Sequence, residues 1–299
     1  MKRWRHDVRT RNGRSVRKLI FDTIRAYIRR TPPHPGRGLA ARLAWKLYPE
    51  EFEHELPTGV RIRVRLWEEE DVAYWTGTYD TDGEVTVFLS LLKEGMTVID
   101  VGANTGIYAL QASLTVGARG RVYAFEPVPH IYERLVEHVR INGSFNILTF
   151  PFALADSNGA ATFHLGRTSG QGSLFRRETD QTTTVRTQTL DSFLADQGIK
   201  HVDVVKVDVE GAEVHVLRGM RELLSRPHKP MLMFEFCPAN LQAAGFTPAE
   251  LFEAIVGYGY AGHVIRGGRL VSVESVIEPA RRWLGGEPLD NYIFKPIQS

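Results

Sequence analysis

The segment from Val98 to Gly106 constrains the fold of this chain more than any other, because it joins a strand-like run to a glycine turn. Its sequence is Val-Ile-Asp-Val-Gly-Ala-Asn-Thr-Gly. Gly102 and Gly106 allow the backbone to approach a ligand closely. Glu126 follows at the end of the next apolar run, about twenty residues further on. This combination is typical of a doubly wound α/β sheet in which a carboxylate holds the ribose of a cofactor.

The spacing of the glycines excludes two common cofactor classes. The turn reads Gly-x-x-x-Gly, whereas nicotinamide enzymes use Gly-x-Gly-x-x-Gly and a P-loop ends in Gly-Lys-Ser/Thr. A ribose-binding carboxylate without a pyrophosphate-binding turn favours S-adenosylmethionine as the cofactor.

The order of predicted elements divides the chain of 299 residues into three parts. We expect a basic helical N-terminal extension over residues 1–50, and a β-hairpin with a helix over residues 51–95. From Met96 onward, apolar strand-like runs alternate with helical segments. This alternation predicts a catalytic domain over residues 96–299 with a mostly parallel sheet.

The N-terminal extension is strongly basic although the whole chain has a formal net charge of only +2. Residues 1–48 contain 14 Lys and Arg against two Asp. Val16, Ile20 and Ile24 recur at helical spacing among the basic residues. Such a segment could pack on the catalytic domain, contact an anionic membrane surface, or bind a nucleic acid or protein partner. Nucleic acid is the less favoured partner, because few aromatic residues interleave with the basic ones.

Cysteine content and hydropathy bear on the compartment. Cys237 is the single cysteine of the sequence, so no intrachain disulfide can form. No apolar run is long enough to span a bilayer, and no signal peptide is recognised. We therefore expect a cytoplasmic protein, with the inner membrane surface as a second location if the extension binds lipid. A homo-oligomer is compatible with the sequence.

Acidic residues lie at the ends of nearly all predicted core strands, where the ligand crevice of a doubly wound sheet lies. Burial of an unpaired carboxylate is costly, so their repetition at equivalent positions indicates a site. These residues are Asp100, Glu126, Asp156, Asp208, Glu210 and Glu235.

The first three acidic residues are expected on the cofactor side. We expect Asp100 to accept hydrogen bonds from the backbone of the glycine turn. Glu126 is expected to hold the ribose, with the alternative that it caps the following helix. Asp156 either contacts the adenine amino group or belongs to a turn beside Ser157.

The other three are expected on the side of the acceptor. Asp208 follows a long buried strand and would face a substrate or a metal, unless it serves only as a salt-bridge partner of Lys206. Glu210 either contacts a ligand or caps the next helix. Glu235 lies in an apolar strand, where burial without a function is implausible.

Histidines and the cysteine give no second candidate site. His130, His164 and His215 have no acidic partner at a diagnostic spacing in the sequence, so each is interpreted as structural. Cys237 lacks the neighbours of a nucleophile and is interpreted as part of the core.

The chain resembles the FkbM family of S-adenosylmethionine-dependent methyltransferases. The motifs that carry the resemblance are, in order, Val98 to Gly106, Phe125-Glu126-Pro127, Ala153 to Asp156, Thr189-Leu190-Asp191, Lys206 to Glu213 and Phe234-Glu235. The resemblance extends over residues 75–240 and implies a class I methyltransferase (Rossmann-like) fold with a seven-stranded, mostly parallel sheet. It also implies O-methyl transfer to a hydroxyl of a sugar, glycolipid or secondary metabolite.

The resemblance assigns roles to individual residues. The residues expected to bind S-adenosylmethionine are Asp100, Gly102, Ala103, Asn104, Gly106, Glu126, Pro127 and Asp156. Asp208, Glu210 and Glu235 are expected to face a small-molecule or glycan acceptor.

A hydroxyl is a poor nucleophile, so a base or a metal must activate it. Asp208 and Glu235 could hold Mg²⁺, while base catalysis by Asp208 or a nearby histidine needs no metal. Two other functions stay open: methylation of RNA or another macromolecule recruited by the basic extension, and a non-catalytic cofactor-binding module.

Overall fold

The computed structural model describes residues 16–32, 34–80, 82–166, 172–175, 179–277, 281–282 and 288–297. The part of the basic extension before Val16 lies outside these residues. Contacts divide the chain into two compact units, Met1–Thr81 and Asp82–Ser299.

The first unit packs helices around a short hairpin. Its elements are α1 (Val16–Arg30), α2 (Pro35–Leu47), β1 (Phe52–Glu55), β2 (Arg61–Val64) and α3 (Glu69–Thr76). Helix α1 buries one apolar stripe, and the ring of Phe21 on that stripe lies 4.4 Å from the ring of Trp75 on α3. In the hairpin, Arg61 and Arg63 stand opposite Glu55 and Glu53. The arginines of β2 therefore face carboxylates on the neighbouring strand.

The second unit alternates strands and helices. The elements up to the fifth strand of this unit are α4 (Glu84–Ser90), β3 (Thr97–Val101), α5 (Ile107–Val116), β4 (Arg121–Phe125), α6 (Pro129–Asn142), β5 (Ile147–Phe150), β6 (Ala153–Leu154) and β7 (Gly159–His164). The next are β8 (Thr182–Gln188), α7 (Leu190–Asp196), β9 (Val204–Val207), α8 (Glu213–Arg218), α9 (Arg221–Leu224) and β10 (Met231–Phe236). The last are α10 (Pro238–Ala243), α11 (Pro248–Val256), β11 (Tyr260–Arg266), β12 (Arg269–Val273), β13 (Arg281–Arg282) and β14 (Pro288–Pro296).

The main sheet confirms the doubly wound, mostly parallel class I fold. Its strands follow the order β12-β11-β14-β10-β9-β3-β4-β5, and β13 pairs with β14. Strands β10, β9, β3, β4 and β5 are parallel neighbours. Strand β14 runs antiparallel between β10 and β11. The described sheet has nine strands rather than the seven expected, because β12 extends it as a hairpin and β13 adds a short edge piece.

The site depends on the order of the three central strands. All four residues of β9 are buried, and β9 lies between β3 and β10. Valine-rich strands of this kind are covered by helices on both faces of a parallel sheet. Because the three strands are parallel, the residues that follow them meet at one edge. A separate three-stranded sheet, β6-β8-β7, is inserted between β5 and α7. Among the described residues, no helix is long and apolar enough to cross a bilayer.

Candidate cofactor and acceptor site

The glycine turn is pressed against the end of strand β9. Gly102 has φ of +76°, and a Cβ atom there would lie 1.8 Å from the carbonyl oxygen of Asp208. No side chain fits in this space, so only glycine allows β3 to turn beside β9. Asn104 also adopts the left-handed region, with φ of 49°. The turn thus brings the predicted cofactor residues next to the predicted acceptor residues.

Glu126 fixes the conformation of this turn. Its two carboxylate oxygens accept hydrogen bonds from the N–H groups of Asn104 (3.1 Å) and Val128 (2.9 Å). The second donor belongs to the N-cap residue of α6, so the buried carboxylate also fixes the backbone at the start of that helix, and Pro127 lies between the two. The N–H of Ala103 donates to the carbonyl of Phe125 at 2.9 Å. The bracing expected from Asp100 is therefore supplied by Glu126 and the end of β4.

Asp100 instead belongs to a buried charged group centred on Lys206. The ammonium Nζ of Lys206 lies 3.1 Å from Oδ2 of Asp208 and 3.6 Å from Oδ1 of Asp100. The same Nζ lies 4.5 Å from the ring centroid of Tyr108, a cation–π distance. Lys206 and Asp100 are both almost fully buried, at 3% and 1% exposure.

The charges in this group support one another. Burial raises the pKa of Asp100, and the neighbouring Lys206 opposes that rise. Burial by itself would lower the pKa of Lys206, but Asp208 and Asp100 outweigh it and raise that pKa. Lys206 is thus held as a cation between two strands. The salt bridge foreseen as the alternative role of Asp208 is present, and the Asp208 side chain is still 30% exposed.

The three predicted acceptor residues come together at the ends of β9 and β10. One carboxylate oxygen from each of Asp208, Glu210 and Glu235 lies within 4.8 Å of the others. Glu210 adopts a left-handed φ of 54°, and its carboxylate accepts a hydrogen bond from the amide of Asn240. Across the described part of the chain, Oε2 of buried Glu235 has no hydrogen-bond partner. Burial, with Asp208 and Glu210 adding to it, raises the pKa of Glu235 well above its usual range. This acidic cluster is suited to hold a proton or a cation.

The backbone that presents Glu210 is held by a second buried acid. Oε1 of Glu213 accepts hydrogen bonds from the N–H groups of Val209 (3.3 Å) and Gly211 (3.1 Å). Gly211 has φ of +107°, and a Cβ atom there would lie 2.5 Å from the carbonyl oxygen of Asn240. Burial raises the pKa of Glu213 to about 7. Glu213 therefore fixes the turn that places the carboxylate of Glu210 beside those of Asp208 and Glu235.

Asp156 is hydrogen-bonded to a histidine that lies far from it in the sequence. Its Oδ2 lies 2.7 Å from Nδ1 of His215, and its Oδ1 accepts a hydrogen bond from the hydroxyl of Ser157. The His215 ring stacks on Phe175 at 4.5 Å. Tertiary packing supplies this acidic partner of His215 from 59 residues away, a separation that no spacing in the sequence indicates.

The sequence reasoning named Lys206 only as a salt-bridge partner of Asp208, and it missed His138 and Asn240. Lys206 carried a usable signal, since a lysine within a run of buried valines requires a compensating acid. His138, whose Nδ1 lies 2.8 Å from the carbonyl oxygen of Thr105 in the glycine turn, carried none. Asn240 is separated from its partner Glu210 by 30 residues. No periodicity or motif in the sequence predicts either of these two contacts.

Comparison with known families and proteins finds relatives of this chain. Residues 100–261 match the model of the methyltransferase FkbM domain. The hexuronic acid methyltransferase AglP of Haloferax volcanii is 32% identical over 149 residues, which are 48% of this chain and 59% of that protein. The 2-O-methyltransferase NoeI of Sinorhizobium fredii is 27% identical over 156 residues, or 46% of this chain and 63% of that protein. The matches thus span about three fifths of the length of these relatives.

A solved structure with a related description covers more of the chain. The crystal structure of methyltransferase FkbM from Methylobacillus flagellatus aligns with 92% of this chain and 58% of its own, with a TM-score of 0.47 and 16% identity.

Proposed function

Because the chain belongs to the FkbM methyltransferase family, we propose that it transfers the methyl group of S-adenosylmethionine to a hydroxyl oxygen of a sugar or sugar-containing molecule. One observation carries the proposal: the Gly102 turn contacts the backbone of Asp208 directly. A cofactor held by the turn and an acceptor held by the acidic cluster would therefore be neighbours.

The cofactor would lie over the glycine turn. Position 102 has no space for a side chain, so the backbone itself would contact the ligand there. Glu126 lies at the end of the adjacent strand β4. Its carboxylate, already oriented by two backbone donors, would accept hydrogen bonds from the ribose hydroxyls through its remaining lone pairs. Gly102, Ala103, Asn104 and Gly106 would contact the methionine part.

The reaction needs alignment and removal of one proton. The acceptor oxygen forms a bond to the methyl carbon as the carbon–sulfur bond breaks, and S-adenosylhomocysteine leaves. The hydroxyl proton would pass to the acidic cluster of Asp208, Glu210 and Glu235. Glu235 suits the role of proton acceptor, since its raised pKa brings it closer to the pKa of a useful base. Lys206 would hold Asp208 in place.

A divalent cation is a second way to use the same carboxylates. Three carboxylate oxygens within 4.8 Å fit the oxygen donors that Mg²⁺ prefers. When bound, such an ion would lower the pKa of the acceptor hydroxyl. We propose Asp208 and Glu235 as its ligands, with Glu210 as a third.

The acceptor class is inferred from the relatives. Of the two relatives described above, AglP is named for methylation of a hexuronic acid and NoeI for methylation at a 2-O position. We propose a hexuronic acid or hexose unit, free or attached to a lipid, as the acceptor. We place the reaction in the cytoplasm, because the single cysteine fits a reducing compartment.

Cofactor binding is tested first and without an acceptor. Calorimetry with S-adenosylhomocysteine should give a Kd that Glu126→Ala weakens by about tenfold or more, the scale of a lost charge-assisted hydrogen bond. Glu253→Ala changes an exposed acid on α11 and should leave the Kd unchanged. Equal Kd values for Glu126→Ala and the parent protein would refute the ribose assignment.

Transfer is tested second, with methyl-labelled S-adenosylmethionine and a panel of hexuronic acid and hexose glycosides. Asp208→Ala and Glu235→Gln should lose turnover while S-adenosylhomocysteine binding is retained, which a non-catalytic module would not show. EDTA should abolish turnover if Mg²⁺ is required, and Mg²⁺ should restore it. Full turnover in EDTA would exclude the metal and leave base catalysis by the cluster.

A further inference from the structure

The exposed surface of helix α2 carries an unusual combination of side chains. Leu39 and Leu43 are 71% and 48% exposed, and Trp45 is 42% exposed. At 100° per residue, the exposed residues of α2 cover one side of the helix. Arg42 and Lys46 run along its centre, with the two leucines on one flank and Trp45 on the other. We define this helix face as the α2 surface.

Neighbouring elements of the same unit extend this surface. Trp67 is 46% exposed, and its ring lies 6.4 Å from that of Trp45. Seven of the fifteen exposed large apolar side chains of the described chain fall between Leu19 and Trp67. Exposed apolar side chains are thus concentrated in this unit, in contrast to the single, scattered apolar residues of an ordinary protein surface.

The charge of the α2 surface is also uncompensated. In the parts of the chain described by the structure, neither Arg42 nor Lys46 forms an ion pair. Arg61 in β2 and Arg65 just after it behave differently, because they pair with Glu53 and Glu51. Arg42 and Lys46 belong to the 14 basic residues, against two acidic ones, that the sequence has over positions 1–48.

From these observations we propose that the α2 surface docks on an anionic lipid bilayer, with the helix lying in the plane of the interface. Leucines and tryptophans at the edges would enter the boundary between headgroups and acyl chains, while Arg42 and Lys46 contact anionic headgroups. Tryptophan is the residue type enriched at this depth of a bilayer. A nucleic acid would contact the basic side chains, but it would not account for the exposed leucines. The inference is independent of the proposed methyl transfer.

The test is cosedimentation of the full-length protein with vesicles. Vesicles of phosphatidylcholine containing phosphatidylglycerol should bind the protein, and vesicles of phosphatidylcholine alone should bind it at least tenfold more weakly. Arg42→Glu with Lys46→Glu should reduce binding at least tenfold. Leu39→Ser with Leu43→Ser should do the same at unchanged charge. Phe145→Ser, which removes an 80% exposed apolar side chain elsewhere, is the matched control and should bind as the parent does.

Three results would overturn the proposal. They are equal binding to neutral and anionic vesicles, binding unaffected by both double substitutions, and absence of vesicle binding with retention of duplex RNA or DNA. Circular dichroism melts of the variants ensure that a loss of binding is read only from folded protein. The residues of the α2 surface are solvent-exposed, so these substitutions should leave the melting temperature close to that of the parent.

Discussion

The ammonium group of Lys206 lies 3.1 Å from Oδ2 of Asp208, and the same buried cation faces Asp100 at 3.6 Å. Asp100 belongs to strand β3, which leads into the glycine turn, and Asp208 directly follows the neighbouring strand β9. One side chain therefore links the strand of the cofactor turn to the acidic cluster. Under the proposed function, this ion-paired group would set the spatial relation between the cofactor and the acceptor.

Removal of the cation should be costly. Lys206→Met leaves Asp100 buried without its counter-charge, and loss of one member of a buried pair destabilises by about 3–5 kcal/mol. We expect a fall of that size in the free energy of unfolding measured by urea denaturation at pH 7. Lys200→Met, which changes an exposed lysine, is the control and should shift it by less than about 0.5 kcal/mol.

The pairing itself can be tested by a double-mutant cycle. Asp100→Asn removes the buried charge that Lys206→Met leaves behind, so the double variant should be more stable than the sum of the two single losses predicts. Strict additivity of the two losses would contradict the ion-paired arrangement.

Gly102 offers a test of the contact between the turn and β9. Gly102→Ala should cost about 1–2 kcal/mol for a left-handed alanine and about 1–3 kcal/mol more for the overlap with the Asp208 carbonyl. Gly143→Ala is the matched control, because Gly143 has φ of +61° but no atom within 4 Å of an added Cβ. Thermal unfolding of both variants separates strain from overlap. Equal losses would mean that the turn does not press on β9.

Local sequence signals predicted the elements that lead into the site. The apolar run before Gly102, the acids at strand ends and the alternation of elements gave the sheet and the grouping of Asp208 with Glu235. These features could be read because parallel strands bring their ends to one edge. The hairpin of the additional strand β12 with β11 depends on the tight turn at Gly267 and Gly268, both at positive φ.

Long-range partners could not be read in the same way. The position of Asp156 after a strand made it a candidate for contact with the adenine. In the structure, the inserted sheet β6-β8-β7 changes the course of the chain around Asp156. Its partner His215 comes from the helix after β9. No periodicity links two residues that are brought together only by an insertion, so the pair emerges from tertiary structure alone.

The Asp156 pair leads to a prediction about the adenine. Both oxygens of Asp156 already contact His215 and Ser157, so a further ligand would compete with existing partners. We expect Asp156→Asn to change the Kd of S-adenosylhomocysteine by less than about threefold, equivalent to less than about 0.7 kcal/mol. Calorimetry measures this Kd for Asp156→Asn and for Glu126→Ala, and the second value shows how large the loss of a cofactor ligand is. A loss as large as that of Glu126→Ala would restore Asp156 as an adenine ligand.

Glu213 should make the stability of the protein depend on pH. Burial raises its pKa from an ordinary value of 4.5 to about 7. The folded state therefore binds a proton that the unfolded state has lost between these values, and the free energy of unfolding falls as pH rises through this window. The shift corresponds to about 3 kcal/mol, lost between about pH 4.5 and pH 7 and not regained above it.

The substitution Glu213→Gln isolates this contribution. A glutamine oxygen can still accept the N–H groups of Val209 and Gly211, but it does not ionise. Relative to the parent protein, Glu213→Gln should therefore gain stability from pH 5 to pH 8, by up to about 3 kcal/mol. Glu253→Gln, at an exposed position of α11, is the control, and its urea unfolding curve should follow the parent at each pH. If Glu213→Gln also ran parallel to the parent, the pKa of the carboxyl would be the same in the folded and unfolded states, and its elevation by burial would be refuted.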